Sequence, residues 1–280
     1  LLHGLGDGPV EVRGQGDWAN AVVEHRFMLV TPSGVANSWN AGGCCGIAKA
    51  TGIDDVSYLG SLVADIAKRP DVDPKRIYMA GFSNGGMMVY RFLCVGADLL
   101  AGAASVSGTK AIDCAPKRPI PILHIHGTGD ETVPYRGGAG LVAALLGASF
   151  PPVPTMADGV AEDDGCTAPP TERTDGDVTT KEWSGCMTLA NFTTAKMTAF
   201  GNMQANNSAV FEEQNRFSWS VNDVACTLVA EHLGVAYTPT GRRSPLPGSS
   251  PVVLLRAPGE LKDEIESEAT RRRLAINDVV

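Results

Sequence analysis

The first half of the chain alternates short apolar runs with segments of helical periodicity. Four runs predict buried strands: Phe27–Val30, Arg76–Ala80, Ala101–Val106 and Pro121–His126. Between them, apolar residues recur on one face from Val56 to Ala67, and Gly85–Leu93 also has a helical pattern. Strands separated by helices need right-handed crossovers, so the pattern predicts an α/β fold with a mostly parallel central sheet and helices on both faces.

The two ends of the chain follow this pattern less closely. Leu1–Gly4 resembles the end of a buried strand that runs into a loop, so we expect that one or more N-terminal strands are missing and that the chain begins inside its gene product. Residues 150–186 are rich in proline and acidic residues, which predicts loops with one short helix. After residue 186 the periodicity weakens.

The composition argues against nucleic acids and membranes as binding partners. The 280 residues suit one large domain, and their formal net charge of −8 argues against nucleic acid, because phosphate binding needs clustered Lys and Arg. No apolar run reaches the roughly 18 residues of a membrane-spanning helix, so no membrane partner is expected. We recognise neither a signal peptide nor a sign of the oligomeric state.

Seven cysteines indicate an oxidising, extracellular compartment. None lies in a Cys-x-x-Cys pair or a Cys/His zinc pattern, so no metal site is expected. Neighbouring cysteines rarely bond each other, so we expect three disulfides with Cys226 left over: Cys166 with Cys186, and Cys44 and Cys45 each with one of Cys94 and Cys114. The alternative is a cytosolic enzyme with seven buried thiols.

Gly81-Phe-Ser-Asn-Gly85 matches the Gly-x-Ser-x-Gly motif of a nucleophilic serine. A predicted strand precedes it and a predicted helix follows it. Such a serine stands on a sharp turn, where glycines relieve backbone crowding and the helix N-terminus favours developing negative charge. The motif therefore predicts Ser83 as a nucleophile, and a purely structural turn is the alternative.

Two backbone N–H groups are candidates for an oxyanion hole. His3-Gly4 ends the first strand and leads into a Gly-rich loop that would supply the N–H of Leu5. The second donor would be the N–H of Asn84, the residue after the nucleophile. A simple Gly-rich turn is the alternative, and we expect His3 itself to be a buried structural residue.

An acid is expected in a loop after a later strand. Asp130 follows Pro121–His126 in the sequence Gly-Thr-Gly-Asp, where it would orient a histidine and stabilise its charged form. Glu131 is the alternative acid, and a solvated loop carboxylate is the structural alternative. Trp39 and Tyr135 are candidates to line an acyl or aryl pocket, with core packing as the alternative.

Four segments together resemble the polyhydroxybutyrate depolymerase-like esterases, a group that also holds feruloyl and acetyl xylan esterases. They are Ser38–Gly46, Asp54–Val56, Gly81–Met88 and His124–Asp130. The resemblance implies a secreted α/β-hydrolase that cleaves an ester substrate, polymeric esters included, without a cofactor, with Ser83 as its serine and Asp130 as its acid. It covers residues 1–186, which we predict to be the hydrolase core, whereas residues 187–280 are predicted to be a divergent C-terminal part.

The resemblance fails at the base of the triad. The group carries Gly-Gly-Gly-His-x-Trp-Pro-Gly shortly after its last cysteine, but residues 187–231 contain no histidine. Tyr237–Gly248 can be laid on that motif without a gap, which places Ser244 in the histidine position. His232 is the only histidine after Asp130, and a surface position on a helix is its alternative.

Two hypotheses of function follow. The first is an active serine esterase that acts on hydroxybutyrate, feruloyl or acetyl esters through an acyl-enzyme at Ser83. The second is a catalytically impaired relative that binds esterified polymer. A histidine Nε2 within hydrogen-bond reach of the Ser83 hydroxyl would distinguish them.

Overall fold

Four parallel strands and an antiparallel hairpin form one six-stranded sheet. The computed structural model describes residues 1–140 and 147–187, and the backbone of residues 190–195. The strands are β1 (Tyr78–Phe82), β2 (Gly102–Val106), β3 (Ile122–Gly127), β4 (Thr171–Asp175), β5 (Val178–Trp183) and β6 (Ala190–Ala195). Their order is β1-β2-β3-β6-β5-β4, in which the first four are parallel and β5 and β4 form the hairpin. Leu2 adds a parallel bridge to Gly81 at the β1 edge.

Helices connect these strands. The α-helices of the described segments are α1 (Pro9–Gly14), α2 (Trp18–His25), α3 (Gly46–Ala50), α4 (Asp55–Ala67), α5 (Asn84–Gly96) and α6 (Val153–Asp163). Short 3₁₀ turns occur at Val35–Asn37 and Ala97–Leu99. The predicted α/β class with a mostly parallel sheet is confirmed.

One predicted strand is wrong. Phe27–Val30 was expected to be a buried strand, but these residues do not form a strand in the structure. Phe27 is 37% exposed, so this apolar run lacks the burial on both faces that a central parallel strand needs.

The hairpin and β6 lie where the sequence predicts loops or shows no clear pattern. All positions of β4 are exposed, and β5 is only half-buried until Trp183. An edge strand of this kind lacks the apolar alternation that marks a strand in a sequence. The sheet continues into β6, beyond residue 186, and the division into a core and a divergent part stays a prediction.

α5 is the helix that follows Ser83, and its packing holds it firmly in place. It packs on β1 and β2 on one side and on α4 on another. Met87, Met88, Phe92 and Leu93 in this helix are at most 2% exposed. Burial of a side chain of this size contributes roughly 1.5–3 kcal/mol, so the helix is anchored along its length.

The chain divides into two compact units. Of the described residues, 1–12 and those from 31 onward belong to the first unit, and 13–30 belong to the second. The described part of the second unit contains α2, which ends at His25 and is followed by Arg26 in a left-handed conformation with φ 53°. In the segments that the structure describes, no helix could span a membrane, and no three His, Cys, Asp or Glu side chains are grouped to hold a metal ion.

The disulfides differ from the expected pairing in part. Cys166 bonds Cys186, as predicted. Cys94 in α5 bonds Cys114, with Cα atoms 5.9 Å apart. The two cysteines that were expected to pair with Cys44 and Cys45 therefore pair with each other. The prediction for Cys44 and Cys45 is therefore wrong, because these residues bond each other across a cis peptide with Cα atoms 3.1 Å apart. Cys226 lies outside the described residues.

Removal of the Cys166–Cys186 bridge is expected to destabilise the fold. The two cysteines are 20 residues apart. In the chain-entropy account, a bridge that closes a loop of this length restricts the unfolded chain and so stabilises the fold by about 3 kcal/mol. The double variant Cys166→Ala/Cys186→Ala should lower the free energy of unfolding by that amount in urea titrations. Cys226→Ala is the control, since we predict no bridge for it. A non-reducing peptide map that shows Cys166 as a free thiol would contradict the prediction.

Candidate active site

Ser83 occupies the sharp turn between β1 and α5. Its backbone has φ 52° and ψ −118°, a conformation that costs a residue with a side chain roughly 1–3 kcal/mol unless the surroundings impose it. The surroundings do so: the Ser83 N–H donates to Val106 O at 2.8 Å, and the Ser83 carbonyl accepts from Met87 N at 2.9 Å. The residue is half-buried and directly follows β1, at the carboxyl end of that strand.

Glycines on both sides of Ser83 allow close backbone packing. A Cβ on Gly81 would collide with the backbone of Gly85. A Cβ on Gly85 would collide with the carbonyl oxygens of Leu2 and His3. The two motif glycines therefore let the turn close and let the N-terminal segment lie directly against it.

The two predicted oxyanion donors lie on either side of this turn. Asn84 is the first residue of α5, so its N–H has no acceptor within the helix. Leu5 follows Gly4, which lies close to the residue before the serine. A Cβ added to Gly4 would be only 3.2 Å from the Phe82 ring. Among the described residues, no acceptor is paired with the Leu5 N–H. Neither N–H group is paired with an acceptor in the described part of the chain, and their role as oxyanion donors stays a prediction.

Trp39 is buried between these two donor segments. Its backbone N–H donates to Asn84 Oδ1 at 2.7 Å, and its carbonyl accepts from Asn84 Nδ2 at 2.9 Å. Its indole Nε1–H donates to His3 O at 3.0 Å. Trp39 is 0% exposed and does not line an open pocket, so the core-packing alternative holds for it. Tyr135 packs partly buried against the core.

His3 is a buried structural residue, as predicted. Its Nε2 accepts from Gly34 N at 3.0 Å, so the ring proton lies on Nδ1, which donates to Gly4 O at 2.8 Å. The ring is 0% exposed. His3 therefore fixes the loop backbone and has no nitrogen left to act as a base.

A second layer of hydrogen bonds holds the segment after Trp39. The carboxylate of Asp55 accepts from Asn40 N at 2.7 Å, and Arg91 donates to Asn40 O. Burial raises the pKa of Asp55, while the Asn40 N–H and the Arg91 charge act in the opposite direction. Asp55 at the start of α4 and Arg91 in the middle of α5 thus both hydrogen-bond to the Asn40 backbone.

Asp130 lies in the loop after β3, on the same edge of the sheet as Ser83. One strand, β2, separates β1 from β3, which corresponds to about 10 Å across the sheet. Asp130 Oδ1 accepts from the N–H groups of Thr132 and Val133, both at 2.9 Å. No hydrogen bond to Oδ2 comes from the described residues, so this oxygen is available to a histidine. Glu131, the alternative acid, is exposed.

Two further histidines lie beside Asp130. His126 Nε2 donates to Val133 O at 2.7 Å and lies 3.6 Å from Asp130 Oδ2. Burial lowers the pKa of His126, although the Val133 carbonyl and Asp130 raise it. His124 stacks on His126 and bonds Tyr90 Oη at 3.0 Å, and burial together with His126 holds the pKa of His124 well below its usual range. Both rings are neutral components of the core.

Among the described residues, no histidine is hydrogen-bonded to the Ser83 hydroxyl. In a triad the acid binds Nδ1 and the serine binds Nε2 of one imidazole. His126 meets Asp130 through Nε2, the nitrogen that donates to Val133, so it lacks this arrangement. His232 and Ser244, the two positions considered for the base, lie outside the described residues.

Comparisons with known proteins show which proteins part of this chain is similar to. The sequence profile of the phospholipase/carboxylesterase family matches residues 48–149. Feruloyl esterase B from Piromyces equi is 36% identical over 159 residues, which are 54% of this chain and 28% of that protein. The chain has the α/β-hydrolase fold, and about half of it is similar to this feruloyl esterase. The bifunctional acetylxylan esterase/xylanase of Neocallimastix patriciarum is 28% identical over 138 residues, 48% of this chain and 19% of that protein.

The α/β-hydrolase match includes Ser83 and Asp130 but not Leu5. The chain spans less than a third of the length of both relatives, at 28% and 19%. The solved structure of an acetyl xylan esterase from Aspergillus awamori covers 69% of this chain and 80% of its own, with 14% sequence identity and a TM-score of 0.49.

Sequence reasoning missed two features of this site. Ser107, directly after β2, has φ 52° like Ser83, and its buried hydroxyl has no partner among the described residues. The contact of His126 with the Asp130 loop was also not foreseen. Neither has a local signature, because each depends on how adjacent strands end.

Proposed function

We propose that this α/β-hydrolase cleaves carboxylic esters of plant polysaccharides or polyesters through an acyl-enzyme at Ser83. The observation that carries the proposal is the left-handed backbone of Ser83 between β1 and α5, which presents a serine hydroxyl at a helix N-terminus. The named activities of the relatives, feruloyl and acetylxylan esterase, support this class of substrate.

The proposed reaction is acyl transfer in two steps. The Ser83 oxygen attacks the ester carbonyl carbon while its proton passes to a base, and the N–H groups of Leu5 and Asn84 donate to the oxyanion. The base then protonates the leaving alcohol, which departs and leaves the acyl group on Ser83. Water attacks the acyl-enzyme in the same way and releases the acid. The base comes from outside the described residues.

The proposal is tested with the purified chain and a panel of esters. p-Nitrophenyl acetate, methyl ferulate, acetylated xylan and a hydroxybutyrate oligomer cover the proposed leaving groups and acyl groups. We expect hydrolysis of at least one ester and labelling of the protein by a fluorophosphonate probe in equimolar amount. Absence of both turnover and labelling in a folded chain would exclude the active esterase.

Asp130→Asn is expected to lower kcat about 10⁴-fold without loss of the fold. The amide can still accept from Thr132 and Val133, but it no longer stabilises a charged histidine or fixes its tautomer, as in the trypsin example. Glu131→Gln is the matched control, because it removes the neighbouring exposed carboxylate. An equal loss in Glu131→Gln, or an undiminished rate in Asp130→Asn, would exclude Asp130 as the acid.

We further propose an extracellular location. The three disulfides Cys44–Cys45, Cys94–Cys114 and Cys166–Cys186 support it, because such bonds persist in oxidising compartments.

A second candidate function is binding of esterified polymer without turnover. The observation that favours it is that each described histidine near the site is engaged in the core, His3 by Gly4 and Gly34 and His126 by Val133. Retention of the chain on acetylated xylan or hydroxybutyrate polymer, with no release of acid or alcohol, would identify this function.

A further inference from the structure

The loop that carries Leu5 is held on both sides by one short segment of the chain. On the N-terminal side, the Trp39 indole N–H donates to His3 O at 3.0 Å. On the C-terminal side, the Gly6 N–H donates to Asn37 O at 2.8 Å. The Leu5 N–H lies between these two tethers, so its position follows from the position of residues 37–39.

The same segment is fixed to the other proposed donor. Asn84 uses both ends of its side-chain amide on Trp39, since Oδ1 accepts the Trp39 N–H and Nδ2 donates to the Trp39 carbonyl. These two bonds also settle the orientation of the amide. The backbone N–H of Asn84 belongs to the residue that makes this clamp, so Trp39 connects the two donors through buried hydrogen bonds.

We propose that Trp39 is the positioning residue of the oxyanion hole, setting the separation of the Leu5 and Asn84 N–H groups. The inference rests on the proposed function. Trp39 touches no substrate in this account and acts through His3 and Asn84. Its indole N–H, rather than its bulk, is the group that matters, because this hydrogen bond spans the two segments.

Trp39→Phe is expected to lower kcat by about 10- to 100-fold, because a donor displaced by about 1 Å loses much of its stabilisation of the transition state. KM should stay within about twofold, since ground-state binding of the ester does not depend on the oxyanion donors. Trp183→Phe, the same chemical change at a buried position in β5, is the control and should leave both constants within about twofold of wild type.

A second variant separates the hydrogen bond from the packing. Replacement of Trp39 by β-(3-benzothienyl)alanine keeps the bicyclic shape but puts sulfur in place of the N–H. We expect the melting temperature to change little and kcat to fall as in Trp39→Phe. A kcat equal to that of wild type in this variant would overturn the proposal.

Amide hydrogen exchange gives a readout that does not need turnover. Loss of the indole N–H should speed exchange in a peptide covering residues 2–8 and leave a peptide from α4 unchanged. If the wild-type chain hydrolyses no ester, the proposed function fails. The exchange experiment still shows whether the Trp39 indole N–H holds the Leu5 loop in place. Unchanged exchange over residues 2–8 in the benzothienyl variant would overturn the inference even in an active enzyme.

Discussion

Ser83→Ala is expected to lower kcat about 10⁶-fold and to abolish labelling by a fluorophosphonate probe. The magnitude follows from the loss of the nucleophile, as in the subtilisin example, where the oxyanion hole and binding leave a small residual rate. Alanine keeps the Cβ and therefore the same backbone strain at φ 52°, so the fold should persist. Initial rates with p-nitrophenyl acetate and mass spectrometry of the labelled protein measure both effects.

Ser107→Ala is the matched control for this variant. Ser107 directly follows the neighbouring parallel strand β2 with φ 52° and is 2% exposed, so the substitution tests a second serine in a strained turn after a strand. It should leave labelling at Ser83 intact. A probe that still labels Ser83→Ala on another serine would show that Ser83 is not the nucleophile.

The sequence predicts the central part of the sheet because burial there leaves a local signature. β2 and β3 are buried almost throughout and, like β1, appear in the sequence as apolar runs next to glycine turns. β4 has no such signature because every position is exposed, and Gly176, with φ 56°, marks only its turn. Phe27–Val30 shows the opposite error, since this apolar run is not buried and does not form a strand.

Residues of the site that belong to short motifs could be predicted from the sequence, whereas contacts between residues far apart in the sequence could not. Ser83 and Asp130 were proposed from motifs of a few residues, since a strand-to-helix turn and a Gly-rich loop are short-range features. The contacts of Trp39 were not predicted, because they join residues 36 and 45 positions apart in the sequence. The adjacent Cys44–Cys45 bond was missed because spacing alone favours separate partners.

The topology narrows the search for the base. β6 is the parallel neighbour of β3, and the carboxyl ends of parallel strands meet at one edge of the sheet, so the chain leaves Ala195 close to the Asp130 loop. The sequence after Ala195 holds no histidine before His232. If the chain is an active esterase with its triad in the order serine, acid, histidine, His232 is therefore the base that remains.

His232→Ala is accordingly expected to lower kcat by about 10⁶-fold, as for loss of a triad histidine in the subtilisin example. In wild type, kcat/KM should fall at acid pH, because only the neutral imidazole accepts the serine proton. His25→Ala is the control, because His25 precedes Ser83 in the chain and does not match the triad order.

Ser244→His distinguishes the impaired relative from the active enzyme. If the overlay of Tyr237–Gly248 on the family motif is right, the wild-type chain hydrolyses p-nitrophenyl acetate only slightly above background, because a serine hydroxyl cannot accept a proton near neutral pH. Ser244→His should then raise the rate at least about 100-fold, within the usual range for general-base catalysis. Strong wild-type activity that survives His232→Ala and does not respond to Ser244→His would defeat both accounts and place the base at a residue outside this pair.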